Sequence, residues 1–357
     1  MRLQVRLVKR FAPGPDSGEF RLDVDFETDS GITMIFGASG AGKSLTLDCI
    51  AGFVTPDPGR ILLDGSILFD SAARVNVPPR DRHCGYVFQN YALFPHMTLR
   101  ENLAFAAERR PGLERRRRVN EMIERFRLGE VAGRRPAEVS GGQRQRCSIG
   151  RALIADPRIL LLDEPARGFD AALRADFHTM LRELRTDLNI PMLFVTHDLD
   201  EAVALGDHML VYQAGRVAQA GAPQSILSRP ASLEIARLLG QVTILEARIV
   251  ALDPGRNTSR IRIEQGELGG PYFPGHLLGD RAWLLIRSDD LRIHGSPGSN
   301  RVPVTLEGKT EHARFIELRF SGGVTALAPR HEFELHRLAR EWYVEFPADS
   351  LRLLKVS

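Results

Sequence analysis

Gly37-Ala38-Ser39-Gly40-Ala41-Gly42-Lys43-Ser44 is the most informative stretch of this chain. The apolar run 32–36 leads into it and predicts a buried strand, and residues 45–51 can continue as a helix. A strand, a glycine-rich loop and a helix N-terminus together direct backbone N–H groups and the helix dipole at an anion. We therefore expect all eight residues to form a phosphate-binding loop, with Lys43 reaching the β- and γ-phosphates and the Ser44 hydroxyl on Mg²⁺.

The size and composition of the chain indicate a globular protein of two domains. Its 357 residues exceed what one hydrophobic core usually holds. A hydrophobic content of 43% and a charged content of 26% are ordinary for a soluble protein. No apolar run approaches the roughly 18 to 20 residues that span a bilayer, and the first residues alternate like a strand instead of forming a signal-peptide core. We expect a cytoplasmic protein that reaches a membrane only through a partner.

Charge and cysteine content exclude several classes of protein. The net charge of +3 is too small to predict binding of nucleic acid, and only four lysines occur, one of them Lys43. Cys49, Cys84 and Cys147 are far apart in the sequence and lack a nearby set of histidines. We therefore expect three reduced thiols and neither a disulfide framework nor a zinc site.

The first part of the chain predicts strands around the loop. Alternating stretches 3–8 and 20–26, separated by turn residues 13–18, predict antiparallel strands. Residues 61–69 predict a hairpin that turns at Asp64-Gly65. Residues 85–89 predict a strand that ends on Gln89.

Helices and buried strands are predicted further along. Residues 99–133 are helix-prone, and the basic run Arg115–Arg118 within them is expected on a solvated face, with a nucleic-acid or lipid patch as the lesser alternative. Residues 139–143 break this pattern and are expected to start another helix, which continues over 144–155 and which Ser140 can cap. The continuous apolar runs 159–162 and 191–196 are typical of parallel strands buried on both faces. Beyond these, we expect a helix at 173–188, a hairpin at 208–220 and helical residues at 223–240.

From about residue 241 the pattern changes to short alternating strands separated by glycine and proline turns. A weak repeat relates residues 281–293 to residues 340–353. It predicts two related β-lobes in a small barrel-like domain. Trp283 and Trp342, which occupy similar places in the repeat, are expected in the core because large aromatic side chains dominate small cores.

Four polar residues follow predicted strands in the first part. Hydrolysis of a nucleoside triphosphate needs charge neutralisation, a metal site and an oriented water. Asp163 is placed to hold Mg²⁺ with Ser44, and Glu164 is the best candidate for the general base. Gln89 could contact the metal or the attacking water, and His197 could hydrogen-bond the γ-phosphate. Because α/β sheets bind ligands at the carboxyl ends of their strands, we expect these side chains to converge.

With these motifs the sequence resembles the ATP-binding-cassette (ABC) family over nearly its whole length. Residues 37–44 match the Walker A loop, Gln89 the Q-loop, residues 159–165 the Walker B motif with its glutamate, and His197 the switch histidine. Residues 139–146 match the family signature. The resemblance implies that two copies pair head to tail and that ATP lies between the loop of one and the signature of the other. The signature residues expected at that ATP are Ser140, Gly141, Gly142 and Gln143.

Two parts of the expected nucleotide site match the family pattern less clearly. Residues 166–169 lack the small polar residue that the family usually has before its conserved aspartate, which Asp170 retains and which we count among the nucleotide-site residues. This departure leaves communication between the two sites uncertain. The aromatic side chain that stacks on adenine is expected to be Phe11, with Phe20 as the alternative.

The resemblance also implies a fold and a set of domains. The expected class is α/β: a RecA-like P-loop ATPase core with an antiparallel β subdomain and an inserted helical subdomain. A C-terminal all-β domain of the TOBE/Mop, OB-like type follows. The cassette is expected over residues 1–240, with the helical subdomain at about 90–155, and the two TOBE/Mop-like lobes over 241–357.

A single cassette followed by such a domain is similar to the ATPases of bacterial binding-protein-dependent importers. The resemblance implies permease subunits as partners, a periplasmic or extracellular solute-binding protein as an indirect partner, and a peripheral position on the cytoplasmic face of the inner membrane. Stretches 68–89, 93–96 and 149–153 look most like molybdate importers. Sugar, iron, sulfate and polyamine import remain alternatives, as does a non-transport ABC ATPase.

Overall fold

The computed structural model describes residues 1–12, 18–240, 242–312, 315–337 and 341–355. Contacts within the chain divide it into two compact units, Met1–Ser228 and Arg229–Ser357. The sequence pattern placed the change of domain twelve residues later, after residue 240. The described residues contain no helix that is both long and apolar enough to cross a membrane.

The first unit alternates strands and helices. Its strands are β1 (Leu3–Phe11), β2 (Phe20–Thr28), β3 (Gly31–Gly37), β4 (Gly59–Leu63), β5 (Ser66–Asp70), β6 (Val75–Asn76), β7 (Cys84–Val87), β8 (Ile159–Asp163), β9 (Pro191–Thr196), β10 (His208–Gln213) and β11 (Arg216–Gly221). Its helices are α1 (Lys43–Ala51), α2 (Leu99–Ala106), α3 (Gly112–Arg125), α4 (Gly141–Leu153), α5 (Ala171–Leu188), α6 (Leu199–Leu205) and α7 (Pro223–Ser228).

A mostly parallel sheet forms the centre of this unit. Within the described residues its strand order is β11-β10-β3-β9-β8-β7, and only β11 runs antiparallel to its neighbour. Every residue of β9 is buried, as are the first four of β8. The apolar runs predicted this arrangement, because a parallel sheet covered on both faces excludes water from both sides of each strand. The phosphate-loop strand β3 lies between β9 and β10.

A second sheet in the first unit is antiparallel, with the order β2-β1-β4-β5-β6 in the described chain. β1 pairs with β2 from Leu3↔Thr28 to Phe11↔Phe20, as the alternating pattern predicted. The predicted turn at Asp64-Gly65 is also present, with φ values of 54° and 76°. Both angles are positive, as a two-residue hairpin with a type I′ turn requires. Of the predicted turn 13–18, residues 13–17 lie outside the described residues.

The helical segments differ in detail from the prediction. The stretch 99–133 contains α2 and α3 separated by a break, and α4 begins at Gly141, directly after the predicted cap Ser140. The strand expected to end on Gln89 ends at Val87. The basic run of α3 is only partly a solvated face, because the Arg115 side chain donates to Ala104 O at 2.8 Å and Arg118 forms ion pairs with Glu121 and Asp156.

The second unit begins with a short helix, α8 (Leu233–Leu238), so that residues 223–240 form two short helices where one helical stretch was expected. Its strands are β12 (Val242–Asp253), β13 (Thr258–Ile263), β14 (Gly266–Gly270), β15 (Arg281–Arg287), β16 (Arg292–His294), β17 (Arg301–Val304), β18 (Leu306–Glu311), β19 (Phe315–Phe320), β20 (Val324–Pro329), β21 (Trp342–Glu345) and β22 (Arg352–Lys355). Helix α9 (Arg330–His336) follows β20.

The sheets of the second unit are antiparallel, in the orders β14-β13-β12-β15-β22, β16-β21-β17 and β18-β19-β20 over the described residues. Each half of the sequence repeat contributes one strand to the first of these sheets and one to the second: β15 and β16 come from the first half, and β22 and β21 come from the second half. Trp342 is buried in a core that contains Leu318, Phe320 and Phe333. Trp283 is only half-buried, so its predicted place in the core is wrong. The side chain of Trp283 alternates onto the opposite face of β15 from the buried Leu284 and Ile286.

Candidate nucleotide site

The phosphate loop connects the end of β3 at Gly37 to the start of α1 at Lys43. A Cβ on Gly37 would lie 2.5 Å from the carbonyl oxygen of Tyr212 on the neighbouring strand β10, so that position has no room for a side chain. Gly42, the residue before the helix, has φ 95°, which strains any other residue. Ala38, Ser39 and Gly40 between them are exposed. The loop is therefore packed at both ends and open in the middle, where a ligand can approach the backbone N–H groups.

Lys43 is buried within the loop. Its Nζ donates to Gly37 O at 2.8 Å and to Ala38 O at 2.9 Å. Burial lowers the pKa of this amine, and the nearby Glu164 and Asp163 carboxylates act in the opposite direction. Two carbonyl oxygens thus hold the cation, with two carboxylates nearby, at the position where the sequence predicts phosphate oxygens.

Ser44 and Asp163 lie together beside the loop. Ser44 Oγ donates to Asp163 Oδ1 at 2.8 Å, although the two residues are far apart in the sequence. Burial raises the pKa of Asp163, and the hydrogen bond from Ser44 lowers it in part. Among the described residues no group of three or more His, Cys, Asp or Glu could hold a metal ion. A hydroxyl and one carboxylate nevertheless fit Mg²⁺, which usually takes one or two protein carboxylates and completes its shell with water and substrate phosphate.

Glu164 follows β8 in an unusual conformation. Its φ of 42° is in the left-handed region, which is uncommon for a residue with a side chain. Oε2 of its carboxylate lies 3.4 Å from Nδ1 of His197 and 3.6 Å from a terminal nitrogen of Arg167. That oxygen is buried and has no hydrogen-bond partner among the described residues. A buried acceptor without a donor can accept a hydrogen bond from a ligand or a water.

Arg167 is a site residue that the sequence did not predict. From the sequence, the stretch 166–169 is only a departure from the family pattern. The backbone N–H of Arg167 donates to Glu164 O at 3.2 Å, and this turn brings the guanidinium next to the carboxylate. The spacing of three residues after Glu164 is the signal that could have indicated the contact, since opposite charges at that spacing meet in a tight turn.

The signature residues begin helix α4. Ser140 is the N-cap: its Oγ accepts from the backbone N–H of Gln143 at 3.3 Å, and its own N–H donates to Gln143 Oε1 at 3.0 Å. This reciprocal arrangement leaves the remaining N–H groups of the first turn, at Gly141 and Gly142, without intrahelical partners. No hydrogen bond or ion pair connects 140–143 to the phosphate loop within the described part of one chain. Their expected contact with a nucleotide held by a second copy stays a prediction.

The remaining predicted residues occupy varied positions. Asp170 caps helix α5, with Oδ1 accepting from the N–H of Leu173 at 2.8 Å. Gln89 lies exposed after β7 and forms no hydrogen bond with Ser44 or Asp163 in the described structure.

Phe11 is exposed, and Phe20 lies directly opposite it on β2. A ring atom of Phe20 would be 3.2 Å from a Cβ on Gly42, so Phe20 is the member of this pair that packs at the phosphate loop.

Comparison with known proteins identifies the class of this chain. The family model described as ABC transporter matches residues 22–167. The chain is 36% identical over 282 residues to the molybdenum import ATP-binding protein ModC of Paramagnetospirillum magneticum, which covers 78% of this chain and 77% of that protein. It is 39% identical over 280 residues to the spermidine/putrescine import ATP-binding protein PotA of Oleidesulfovibrio alaskensis, covering 76% of this chain and 72% of that protein.

A solved structure supports the same conclusion. The ATP-binding cassette MJ0796, described as a dimer in a post-hydrolysis state bound to ADP and Pi, matches with a TM-score of 0.54 and 27% identity. The match covers 62% of this chain and 99% of that one. The chain belongs to the ABC transporter family, among its import ATP-binding proteins. This confirms the predicted family and the predicted α/β cassette fold with β-sheets following it.

Proposed function

We propose that this chain is the ATP-hydrolysing subunit of an ABC importer and that the cluster around Glu164 is its catalytic site. One observation carries the assignment: the buried, unpartnered Glu164 Oε2 lies 3.4 Å from His197, next to the hydrogen-bonded Ser44–Asp163 pair. Hydrolysis needs an acceptor for the attacking water beside the bound phosphates. Glu164 is that acceptor.

The loop residues bind the phosphates. Backbone N–H groups of residues 38–44 and the start of α1 face the anion, and Lys43 exchanges its two carbonyl partners for phosphate oxygens. Ser44, Asp163 and the Gln89 side chain would hold Mg²⁺, which would supply charge neutralisation on the phosphates. His197, which is largely exposed, donates to the γ-phosphate and stays within reach of Glu164. Phe11 or Phe20 stacks against the adenine.

Two copies of the chain complete the site. Ser140, Gly141, Gly142 and Gln143 of a second copy contact the nucleotide with the open first turn of α4, and Asp170 follows the turn that faces the same interface. The solved structure of MJ0796, described as a dimer bound to ADP and Pi, supports the pairing of two copies. Closure of this head-to-tail dimer on ATP, and its opening after hydrolysis, drive permease subunits at the cytoplasmic face of the membrane. A solute-binding protein delivers the cargo to the permease.

The proposed cargo is molybdate or a related oxyanion. Two molybdenum import ATP-binding proteins are 36% and 39% identical to the chain, and a spermidine/putrescine import ATP-binding protein is 39% identical to it. Polyamine is therefore the second candidate, ahead of sugar, iron or sulfate. Deletion of the gene should lower cellular molybdenum, measured by elemental mass spectrometry, and leave uptake of labelled spermidine unchanged. The reverse pattern would assign the chain to polyamine import.

Substitution Glu164→Gln tests the assigned catalytic role. The amide keeps the size of the side chain and removes the acceptor charge, so we expect ATP turnover to fall at least about a hundredfold, the lower end of general-base contributions. ATP affinity should stay within about twofold, because Lys43 and the loop are unchanged. Turnover is measured by phosphate release and affinity by calorimetry. Turnover equal to that of the wild type would remove Glu164 from this role.

A further inference from the structure

Three arginines lie side by side on the five-stranded sheet of the second unit. Arg248 on β12 is directly opposite Arg262 on β13 and, on its other side, directly opposite Arg281 on β15. All three side chains are exposed. Residues directly opposite on antiparallel strands have Cβ atoms about 5 Å apart on the same face of the sheet, and like charges in such pairs destabilise it. These three residues, which we call the arginine row, therefore concentrate positive charge at a cost to stability.

The protein neutralises this charge only in part. Arg262 forms an ion pair with Glu267 at 2.6 Å. Arg248 Nε donates to the neutral carbonyl oxygen of Gly279 at 3.1 Å. Arg281 makes no hydrogen bond or ion pair with any residue that the structure describes. Two of the three guanidinium groups thus have no carboxylate partner within the described chain.

The arginine row lines a groove with an aromatic wall. The groove has a volume of about 680 Å³, within the range of small-molecule sites. Trp283 borders it from β15, in register with Glu246, whose carboxylate forms no ion pair in the described part of the protein. The Oε1 atom of Gln265, on the same lining, is buried and without a hydrogen-bond partner. The groove combines cations, an aromatic face and polar groups available for hydrogen bonds.

We propose that this groove binds a phosphorylated molecule with a planar ring. The phosphate lies on Arg248 and Arg281, because a guanidinium presents paired N–H donors that match phosphate oxygens. The ring packs against Trp283, and Glu246 and Gln265 hydrogen-bond its polar edge. The phosphate supplies the negative charge that the row lacks. This site uses residues of the second unit only and does not depend on the ATPase assignment.

Titration of the full-length protein with uridine 5′-monophosphate tests the proposal through tryptophan fluorescence. We expect a saturable change that disappears in Trp283→Phe, with uridine giving none and inorganic phosphate or molybdate binding more weakly at equal ionic strength. Arg281→Ala should weaken binding about tenfold or more, since it removes charge-assisted hydrogen bonds to the phosphate. Arg287→Ala is the matched control, because Arg287 lies on the same strand and is ion-paired with Asp289 at 2.7 Å.

Further outcomes separate this site from others. Lys43→Ala should leave the titration unchanged, and loss of the signal in that variant would assign it to the phosphate loop and overturn the proposal. Molybdate binding as tightly as the nucleotide would overturn the assignment to a ringed phosphate. An absence of saturation, or equal effects of Arg281→Ala and Arg287→Ala, would also refute it. Without ligand, Arg281→Thr should melt at a higher temperature than the wild type, because it relieves repulsion within the row, and a lower melting temperature would contradict that repulsion.

Discussion

Glu164 combines a strained backbone with an incompletely satisfied side chain. Its positive φ turns the chain away from β8 and aims the carboxylate toward His197 and Arg167. Conformations of this kind cost about 1–3 kcal/mol and persist only where the surroundings hold them. Here the Glu164 N–H donates to Val195 O at 3.1 Å, which ties the residue to the adjacent strand. The strained backbone fixes the position of the Glu164 carboxylate. The His197 and Arg167 side chains beside it then influence what this carboxylate can accept.

Arg167→Ala is expected to raise basal ATP turnover by up to about fivefold. The Arg167 side chain is 61% exposed, and a pair of this kind is worth at most about 1 kcal/mol. Removing the guanidinium frees the Glu164 carboxylate to accept from water. Phosphate release measures the rate, and calorimetry should give an unchanged affinity for ATP. Arg167→Lys, which keeps the charge, is the control, and a fall in turnover with Arg167→Ala would show that the arginine assists Glu164.

At the scale of elements, strand β3 and helix α1 present the loop through two different constraints on glycine. Gly37 lacks room for a side chain because of Tyr212 O, whereas Gly40 has φ 80° and no atom within 4 Å of the point where a Cβ would lie. Gly37→Ala should destabilise the first unit by about 3 kcal/mol, since a backbone oxygen cannot move aside easily. Gly40→Ala should cost about 1 kcal/mol from backbone strain alone. Urea unfolding followed by circular dichroism compares them.

The tryptophans supply an internal reference for that comparison. Trp283 and Trp342 both belong to the second unit, so their fluorescence transition reports on that unit. The urea midpoint of this fluorescence transition should be the same in Gly37→Ala and Gly40→Ala as in the wild type. Equal losses for Gly37→Ala and Gly40→Ala would show that β10 can move away from the loop.

Ser140, at the start of helix α4, is both the N-cap of the helix and a proposed contact of the nucleotide. Ser140→Ala removes the cap and should lower stability by about 1 kcal/mol. Ser140→Asp keeps a good cap and should retain the melting temperature, but its negative charge would face the phosphates of the second copy's nucleotide. We expect it to abolish ATP turnover. Retained turnover in Ser140→Asp would exclude the start of α4 from the nucleotide site.

At the scale of the whole molecule, the site predicts assembly that depends on ATP. Glu164→Gln with ATP and Mg²⁺ should behave as a dimer in light scattering, because bound ATP links the two copies and is not consumed. The same protein without ATP should be a monomer. The double variant Glu164→Gln, Ser140→Asp should stay monomeric with ATP. A monomer in the single variant at saturating ATP would contradict closure of the dimer on the nucleotide.

Several parts of this protein could be predicted from local sequence pattern. The buried strands β8 and β9 followed from continuous apolar runs, and the hairpin at Asp64-Gly65 followed from turn chemistry. The phosphate loop could be predicted because the spacing of its glycines fits only a few backbone conformations. The family followed from the same motifs. These features are local because hydrogen bonds and φ angles within a few residues fix them.

Which distant side chains meet depends instead on the tertiary structure. The folded chain places Ser44 on Asp163, brings Arg167 to Glu164, and aligns three arginines from separate strands. The folded chain also places Trp283 in the lining of a groove and not in the core that the sequence predicts. The reason is that a repeat in the sequence does not fix which face of a strand is covered. Cross-strand register joins residues that are far apart in the sequence, and a shift of one residue moves every side chain of a strand to the opposite face of the sheet.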